Sequence, residues 1–512
     1  MNQRLVRGLW LVLLAALALG LRLPRLAERP LHGDESVHCQ KLWTLYSEHR
    51  YEYDPHEYHG PTLYYATLPI FWLRQPASYA ATREVDYRLA PVVFGVVLVL
   101  LPALLVDGLG WPAALAAGLL TALSPALVYY SRYYIQETLF ACFTLALIGA
   151  GWRYQRTARP GWLVAAGCAA GLMLATKETC LASFAALGLA AVAWRGRPAE
   201  PRLPGLWDVR RLAAAGCVAL VTAAVLLSGF FTHPAGALGY LQTFTPWLER
   251  AGGTNLHRHE WSYYLSLLAW THRSRGPVFT EALVLGLAGV GALGALRPAW
   301  LPRGASRRLV GVLALYTVLL TAIYSAIPYK TPWCVLTFLD GFVLLAGVGA
   351  AALVERAPGR LGRVAVVALL LAGCWHLGRL AWRASTDYAT DARNPYAYAH
   401  TGPDVFDIEQ RVNELLALDP RLVVKVVWTD DYYWPLPWYL RRVPDGRVGY
   451  YNQLPTDPLA PVVLAAATYT EAIERRLGAT HEHTGTYGLR RKVPCELWVE
   501  KGLWERYMAR RR

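Results

Sequence analysis

Eleven stretches of the chain are apolar over most of their length: residues 8–23, 89–107, 111–130, 138–152, 161–176, 180–194, 212–232, 278–296, 309–327, 333–353 and 362–381. A run of roughly 17–25 apolar residues has the length of a helix that crosses a bilayer. The pattern therefore predicts a polytopic α-helical membrane protein with about eleven spans, of which 138–152, 161–176 and 180–194 are short. Beyond residue 381 the pattern changes. In Asp404–Leu418 the apolar positions Val405, Ile408, Val412 and Leu415 keep helical spacing. Strand-like runs follow at 422–428, 460–466 and 495–501, with the helical run YTEAIERRLG between the last two. This alternation predicts a small α/β domain. The expected organisation is a transmembrane domain over 1–381, with a long first loop at 24–88, and a second domain over 382–512.

Composition agrees. Only 17% of the 512 residues are charged and mean hydropathy is +0.24, whereas a soluble domain carries about 25% charged residues. The net charge of +15 comes from 51 basic and 36 acidic residues, and its distribution argues against nucleic acid as a partner. Arginines gather in alternate loops, three in 153–160, five in 195–211, four in 297–308 and three in 354–363. Basic short loops stay on the cytoplasmic side, so these loops and the N-terminus are expected inside a cell membrane. The loops 24–88 and 233–277, the turns near 131–137, 176–180 and 328–332, and the tail are then expected outside. The first run reads as an uncleaved span, because RLPRLAERP after it offers no small-residue cleavage site. Eight cysteines show no CxxC spacing, and nothing in the sequence pairs Cys39 with Cys495.

The outer segments hold the clusters of ionisable and aromatic residues: HGDESVH, YDPHEYHGP, SRYYIQETL, ATKET, HRHEWSYY and YSAIPYKTPW. Arg132, Glu137, Lys177, Glu178 and Lys330 fall at the outer ends of spans. Each alone reads equally well as an interfacial anchor, but five at one level suggest a single polar cavity. No Walker loop, GxGxxG, GxSxG or zinc-finger spacing occurs, so a reaction outside must draw on an activated substrate such as a lipid-phosphate-linked sugar. Its phosphate departs without protonation, so one base for the incoming hydroxyl is enough. Adjacent Asp34 and Glu35 suit one base plus a helper better than the flanking pair of a glycosidase. The same two residues also fit the first turn of a helix. Arg132, Lys177 and Lys330 are the cations for a leaving phosphate, and Tyr58, His59 and Trp261 are further candidate substrate contacts. His38, His59, His257 and His259 are candidate ligands for a divalent metal, or interfacial hydrogen-bonding residues. The aromatic stretch WTDDYYWPLPWYLRR, 428–442, reads either as a belt at the membrane surface or as a stacking platform for a sugar or lipid.

An Asp–Glu pair opening the first outer loop resembles the GT-C superfamily of membrane glycosyltransferases, which includes protein O-mannosyltransferases and aminoarabinose transferases. More narrowly, HGDESVHCQKLWTLYSEHRYEYDPHEYHGPTLYY, SPALVYYSRYYIQETL, ATKET, HEWSYYL, YSAIPYKTPW and DDYYWPLPWYLR together resemble the bacterial and archaeal flippase-activity-associated (Agl-type) family, from about residue 30 to 442. The resemblance implies a GT-C-like fold and a transferase that moves a sugar from a polyprenyl-phosphate donor, with membrane lipids around it, to a lipid, glycan or protein acceptor outside. It implies Asp34 as base with Glu35 beside it, and Arg132 and Lys177 on the lipid phosphate. Where aminoarabinose transferases carry a Glu-Lys-Pro segment, this chain has His59-Gly60-Pro61, without the lysine. A flippase for the lipid-linked sugar, or a non-catalytic partner in glycan assembly, are the alternative readings.

Overall fold

The structure, a computed structural model, describes residues 3–55, 59–195, 208–245, 257–456 and 460–511. Each of the eleven apolar runs falls on a helix. Among the described residues six helices are long and apolar enough to cross a membrane: Gln3–Arg22, Glu84–Leu109, Val209–Leu227, Arg307–Ala326, Pro332–Arg356 and Gly359–Ser385. The other five depart from the expected spans. Trp111–Leu123, Pro160–Leu174, Cys180–Ala193 and Ala282–Leu296 are shorter, and Glu137–Thr157 carries Glu137, Arg153 and Arg156 in its 21 residues.

The chain divides into two compact units. The first comprises Met1–Leu26, Thr44–Ile70 and Arg88–Tyr396, and the second Ala27–Trp43, Phe71–Tyr87 and Ala397–Arg512. The division falls at 396/397 rather than 381/382, and both ends of the first loop join the second unit.

In the first unit the apolar window of Pro332–Arg356 is 89% buried, while that of Gln3–Arg22 is 11% buried. The first is thus a central helix and the second is left with an apolar face for lipid. Small residues set the closest approach. A Cβ at Gly291 would lie 2.0 Å from the Leu345 carbonyl oxygen, and one at Gly349 would lie 2.0 Å from that of Leu287. Helices Ala282–Leu296 and Val335–Arg356 therefore cross backbone to backbone, as small residues permit in membranes.

The second unit is built on a five-stranded sheet of β1 (Val424–Val427), β2 (Val448–Tyr451), β3 (Val462–Ala466), β4 (His481–Arg490) and β5 (Val493–Glu500), in the order β2-β1-β3-β5-β4. β1 runs parallel to β2 and β3, and β5 runs antiparallel to β3 and β4. β1, β3 and β5 match the expected strands, and β2 and β4 are additional. Helix Asp404–Leu418 forms as expected and buries Val405, Ile408, Val412 and Leu415. Helix Thr470–Leu477 places Ile473 and Leu477 against Val427, Val463, Ala465 and Trp498. Cys39 and Cys495 are both buried and form no disulfide.

The aromatic stretch 428–442 divides within this unit. Trp438 is fully buried, edge-on to Tyr79 and Tyr87 at 5.7 and 5.4 Å, and its indole N–H donates to Glu84 at 3.0 Å. Trp438 is thus core, which a surface belt does not describe.

Candidate functional site

In the second unit the start of the helix Gly33–Glu48 holds the Asp–Glu pair in its first turn. The first turn of a helix leaves backbone N–H groups without partners. Here two neighbours of Asp34 supply them. The Asp34 N–H donates to His32 Nδ1 at 3.2 Å, and the Glu35 carboxylate reaches back to accept the His32 N–H at 2.9 Å. This is a reciprocal capping box in which an imidazole replaces the usual hydroxyl. Because His32 Nδ1 accepts, its 3.7 Å contact with Asp34 Oδ2 is not an ion pair. Glu35 is fully buried and also accepts from Arg29 Nη2 at 3.1 and 3.2 Å. Arg29 Nη1 donates to His400 Nε2 at 3.2 Å, so the His400 Nδ1–H is the one that donates to the Thr401 carbonyl at 3.0 Å. Burial, then the charge of Arg29, holds His400 well below the usual histidine value, and it stays neutral. The Thr401 hydroxyl and the Tyr439 hydroxyl bind the two backbone groups of Leu31.

The adjacent carboxylates are therefore unlike. Glu35 is locked into the cap and into Arg29. The Asp34 side chain is 42% exposed and takes no part in capping. The sequence offered both readings for the pair, base and helix start, and the structure gives the helix-start role to Glu35.

In the first unit two motifs meet. The Gly60 N–H donates to the Thr176 carbonyl at 3.0 Å, and the hydroxyls of Thr62 and Thr176 are 2.8 Å apart. A Cβ at Gly60 would lie 2.1 Å from the Ala175 carbonyl oxygen, so HGP docks on ATKET only with glycine at that point. The docking aligns four ionisable groups. Lys177 Nζ donates to Glu137 at 2.6 Å, and His59 Nδ1 bonds Glu178 at 2.8 Å. Burial opposes the Lys177 charge, but Cys334, then the Glu137 and Glu178 carboxylates, outweigh it and hold the ammonium well above the usual lysine value. Burial also opposes ionisation of Glu178, yet His59 and then Lys177 pull this carboxyl down to about 2. Cys334, just after the YKTPW motif, lies with its sulfur 3.9 Å from Lys177 Nζ. Lys177 stands on the segment against which HGP packs.

Arg132 has a different environment. Its guanidinium donates to the carbonyls of Arg22 and Pro24, each at 2.7 Å, and of Arg25 at 3.1 Å. It closes the C-terminal end of helix Gln3–Arg22, where carbonyls lack partners. Lys330 joins the HRHEW segment. Its ammonium donates to the carbonyls of His259 and Ile327 at 3.1 and 2.5 Å, and its N–H donates to the His257 carbonyl at 3.0 Å. Burial lowers the Lys330 pKa, and burial followed by His257 and Lys330 lowers that of His259. A cleft of about 390 Å³ opens here, lined by Arg258, His259, Trp261 and Lys330 among others. Trp261 is 68% exposed at its rim.

Tyr58 lies outside the described residues. The metal reading of His38, His59, His257 and His259 finds no donor set. His59 is engaged with Glu178, His257 packs edge-on to Tyr329, and His259 stacks on Tyr263 at 4.2 Å. His38 is buried in the other unit, and among the described residues no three His, Cys, Asp or Glu side chains converge. Arg29 and His400 were missed by sequence reasoning, since each gains its meaning only through contacts distant in the chain. Asp340 was missed although a signal existed, an acidic residue inside an apolar run. It is buried in helix Val335–Arg356, and neither carboxyl oxygen has a hydrogen-bond partner among the described residues.

Residues 12–233 match the family described as dolichyl-phosphate-mannose-protein mannosyltransferase. No curated protein matches the sequence significantly. Among solved structures, ArnT from Cupriavidus metallidurans bound to undecaprenyl phosphate is similar with a TM-score of 0.62 and 17% identity, over 95% of this chain and 98% of that one. The apo form of the same protein gives 0.62 and 18%, over 95% and 97%. The GT-C resemblance is thus borne out at the level of fold. The chain is a multi-pass membrane protein, mostly helical, with a small C-terminal sheet domain.

Proposed function

We propose that this GT-C-fold protein is a membrane glycosyltransferase that moves a sugar from a polyprenyl-phosphate carrier to a lipid, glycan or protein acceptor on the outer side of a cell membrane. The observation that carries the reading is the division of labour at residues 34 and 35. One carboxylate is fixed by a cap and an arginine, and its neighbour keeps a side chain that is 42% exposed. The fold shared with a protein solved with undecaprenyl phosphate supports the donor class, as does the family match over residues 12–233. The arginine-rich alternate loops support an N-terminus inside and a C-terminal domain outside.

In this reading Asp34 takes the proton of the acceptor hydroxyl as its oxygen attacks the anomeric carbon. The bond from that carbon to the phosphate oxygen breaks, and the electron pair leaves with the polyprenyl phosphate. Glu35 is a positioning residue that fixes the helix start. The departing phosphate gains a negative charge that a cation stabilises, and Lys177 and Lys330 of the first unit are the candidates. Glu137 and Glu178 orient Lys177, His59 holds Glu178, and Trp261 contacts substrate at the rim of the Lys330 cleft. Arg132 keeps the end of the first helix in place.

The test is reconstitution. The purified full chain in proteoliposomes receives polyprenyl-phosphate-linked radiolabelled sugar and a membrane extract as acceptor source. The expected result is release of polyprenyl phosphate matched by label in the extract. Movement of labelled donor between leaflets with no polyprenyl phosphate released makes the protein a translocator and overturns the proposal.

A further inference from the structure

The face of the second unit next to Asp34 is aromatic. Tyr433 stacks on Trp434 at 5.8 Å and 26°, and on Tyr450 of the edge strand β2 at 4.8 Å and 30°. Tyr433, Trp434 and Tyr450 are half-buried, and the neighbouring Tyr432 is 44% exposed. The group borders the start of the Asp34 helix. A Cβ at Gly33 would lie 3.6 Å from Trp434 Cβ, and the Ser36 hydroxyl bonds the Pro435 carbonyl at 3.5 Å. Arg490, at the end of β4, completes it. Its guanidinium donates to the Tyr432 carbonyl at 2.5 Å and lies 5.7 Å from that ring's centre, and the Asp34 charge reaches it. Arg490 Nε is buried and has no hydrogen-bond partner among the described residues.

We propose that Tyr432, Tyr433 and Trp434, backed by Tyr450, form a stacking platform for a sugar ring of the acceptor, with Asp34 and Arg490 at its polar edge. The acceptor is then a glycan or the sugar headgroup of a lipid, and this rests on the reading of Asp34 as the base. The chemistry fits. One face of a pyranose presents C–H groups that carry slight positive charge, and the face of an aromatic ring is negative. The ring's hydroxyls need donors and acceptors around the edge, and an apolar floor with a few convergent polar groups is how small polar ligands are held. Arg490 supplies donors and Asp34 supplies the acceptor that also takes the proton. A belt at the membrane surface presents aromatic rings with their polar tips in water. Here the rings stack on one another beside an acidic and a basic group.

The test uses the purified full chain in detergent and a panel of methyl glycosides of the common hexoses and pentoses, by saturation-transfer difference NMR. Signal on the C–H face of at least one glycoside is expected in the wild type and in Trp434→Phe. Trp434→Leu keeps the apolar character but loses the flat face, and is expected to weaken binding about tenfold. Tyr432→Leu, at an exposed ring, gives the same comparison where folding is secure, and Arg490→Gln is expected to reduce binding as well. Equal signal in wild type, Trp434→Leu and Tyr432→Leu, or no signal from any glycoside, overturns the platform. Release of polyprenyl phosphate by the same wild-type preparation is measured separately, so failure of the transferase reading is distinguished from failure of the platform.

Discussion

Glu35→Gln and Asp34→Asn remove one negative charge each from neighbouring residues, and opposite consequences are expected. Glu35 is fully buried, accepts twice from Arg29 and accepts the His32 N–H that opens the helix. Removing one partner of a buried ion pair costs roughly 3–5 kcal/mol, because the other charge stays buried and uncompensated. Glutamine keeps an oxygen for the His32 N–H, so the capping contribution of about 1 kcal/mol is largely retained. The ion pair decides the magnitude. Asp34 is 42% exposed and outside the cap, so its change to asparagine is expected to alter stability by no more than about 0.5 kcal/mol. Loss of a general base reduces rate roughly 10²–10⁴-fold. The two measurements are thermal unfolding of the full chain in detergent and release of polyprenyl phosphate from labelled donor. Glu35→Gln should lower the unfolding midpoint by several degrees, while Asp34→Asn should unfold like the wild type and be inactive. An Asp34→Asn protein with full transfer, or a Glu35→Gln protein of unchanged stability, refutes the assignment.

Gly60→Ala places a methyl group against the Ala175 carbonyl, and an overpacked site costs typically 1–3 kcal/mol. Limited proteolysis should show the first loop cut faster than in the wild type. Lys177→Gln should slow polyprenyl phosphate release at least about tenfold, and Lys177→Gln with Glu137→Gln should be less than additive, because the 2.6 Å pair acts as a unit. A double-mutant cycle on that rate checks it. The pH dependence follows from Glu178, whose folded value of about 2 lies below the ordinary 4.5. A depressed carboxyl contributes stability that is fully present above the unfolded value and lost as pH falls through the folded one. Stability should thus fall from about pH 4.5 towards 2, and His59→Ala, which raises the folded value towards the unfolded one, should make that loss smaller, read by unfolding midpoints across the range.

The eleven apolar runs, the helix Asp404–Leu418 and three of the five strands were legible in the sequence, because period and hydropathy are local properties of the chain. β2 and β4 were not. VGYY is half-buried throughout, and HEHTGTYGLR is mixed in burial and bulged, so neither repeats cleanly enough to mark a strand. The motifs HGDES, HGP, ATKET and HEW could be picked out by their residue types. Their partners could not, since a hydrogen bond between residues 59 and 178, or between 29 and 400, leaves no trace in spacing. Sequence alone therefore determined a membrane protein, a pair of carboxylates and a set of cations. Only the tertiary structure decided which carboxylate is locked and which exposed, that Arg132 closes a helix end, and that Lys177 stands on the segment against which the lysine-free HGP segment packs. The physical reason is that a side chain's chemistry is fixed by its type, while its role depends on burial and on the groups that folding brings within about 3 Å.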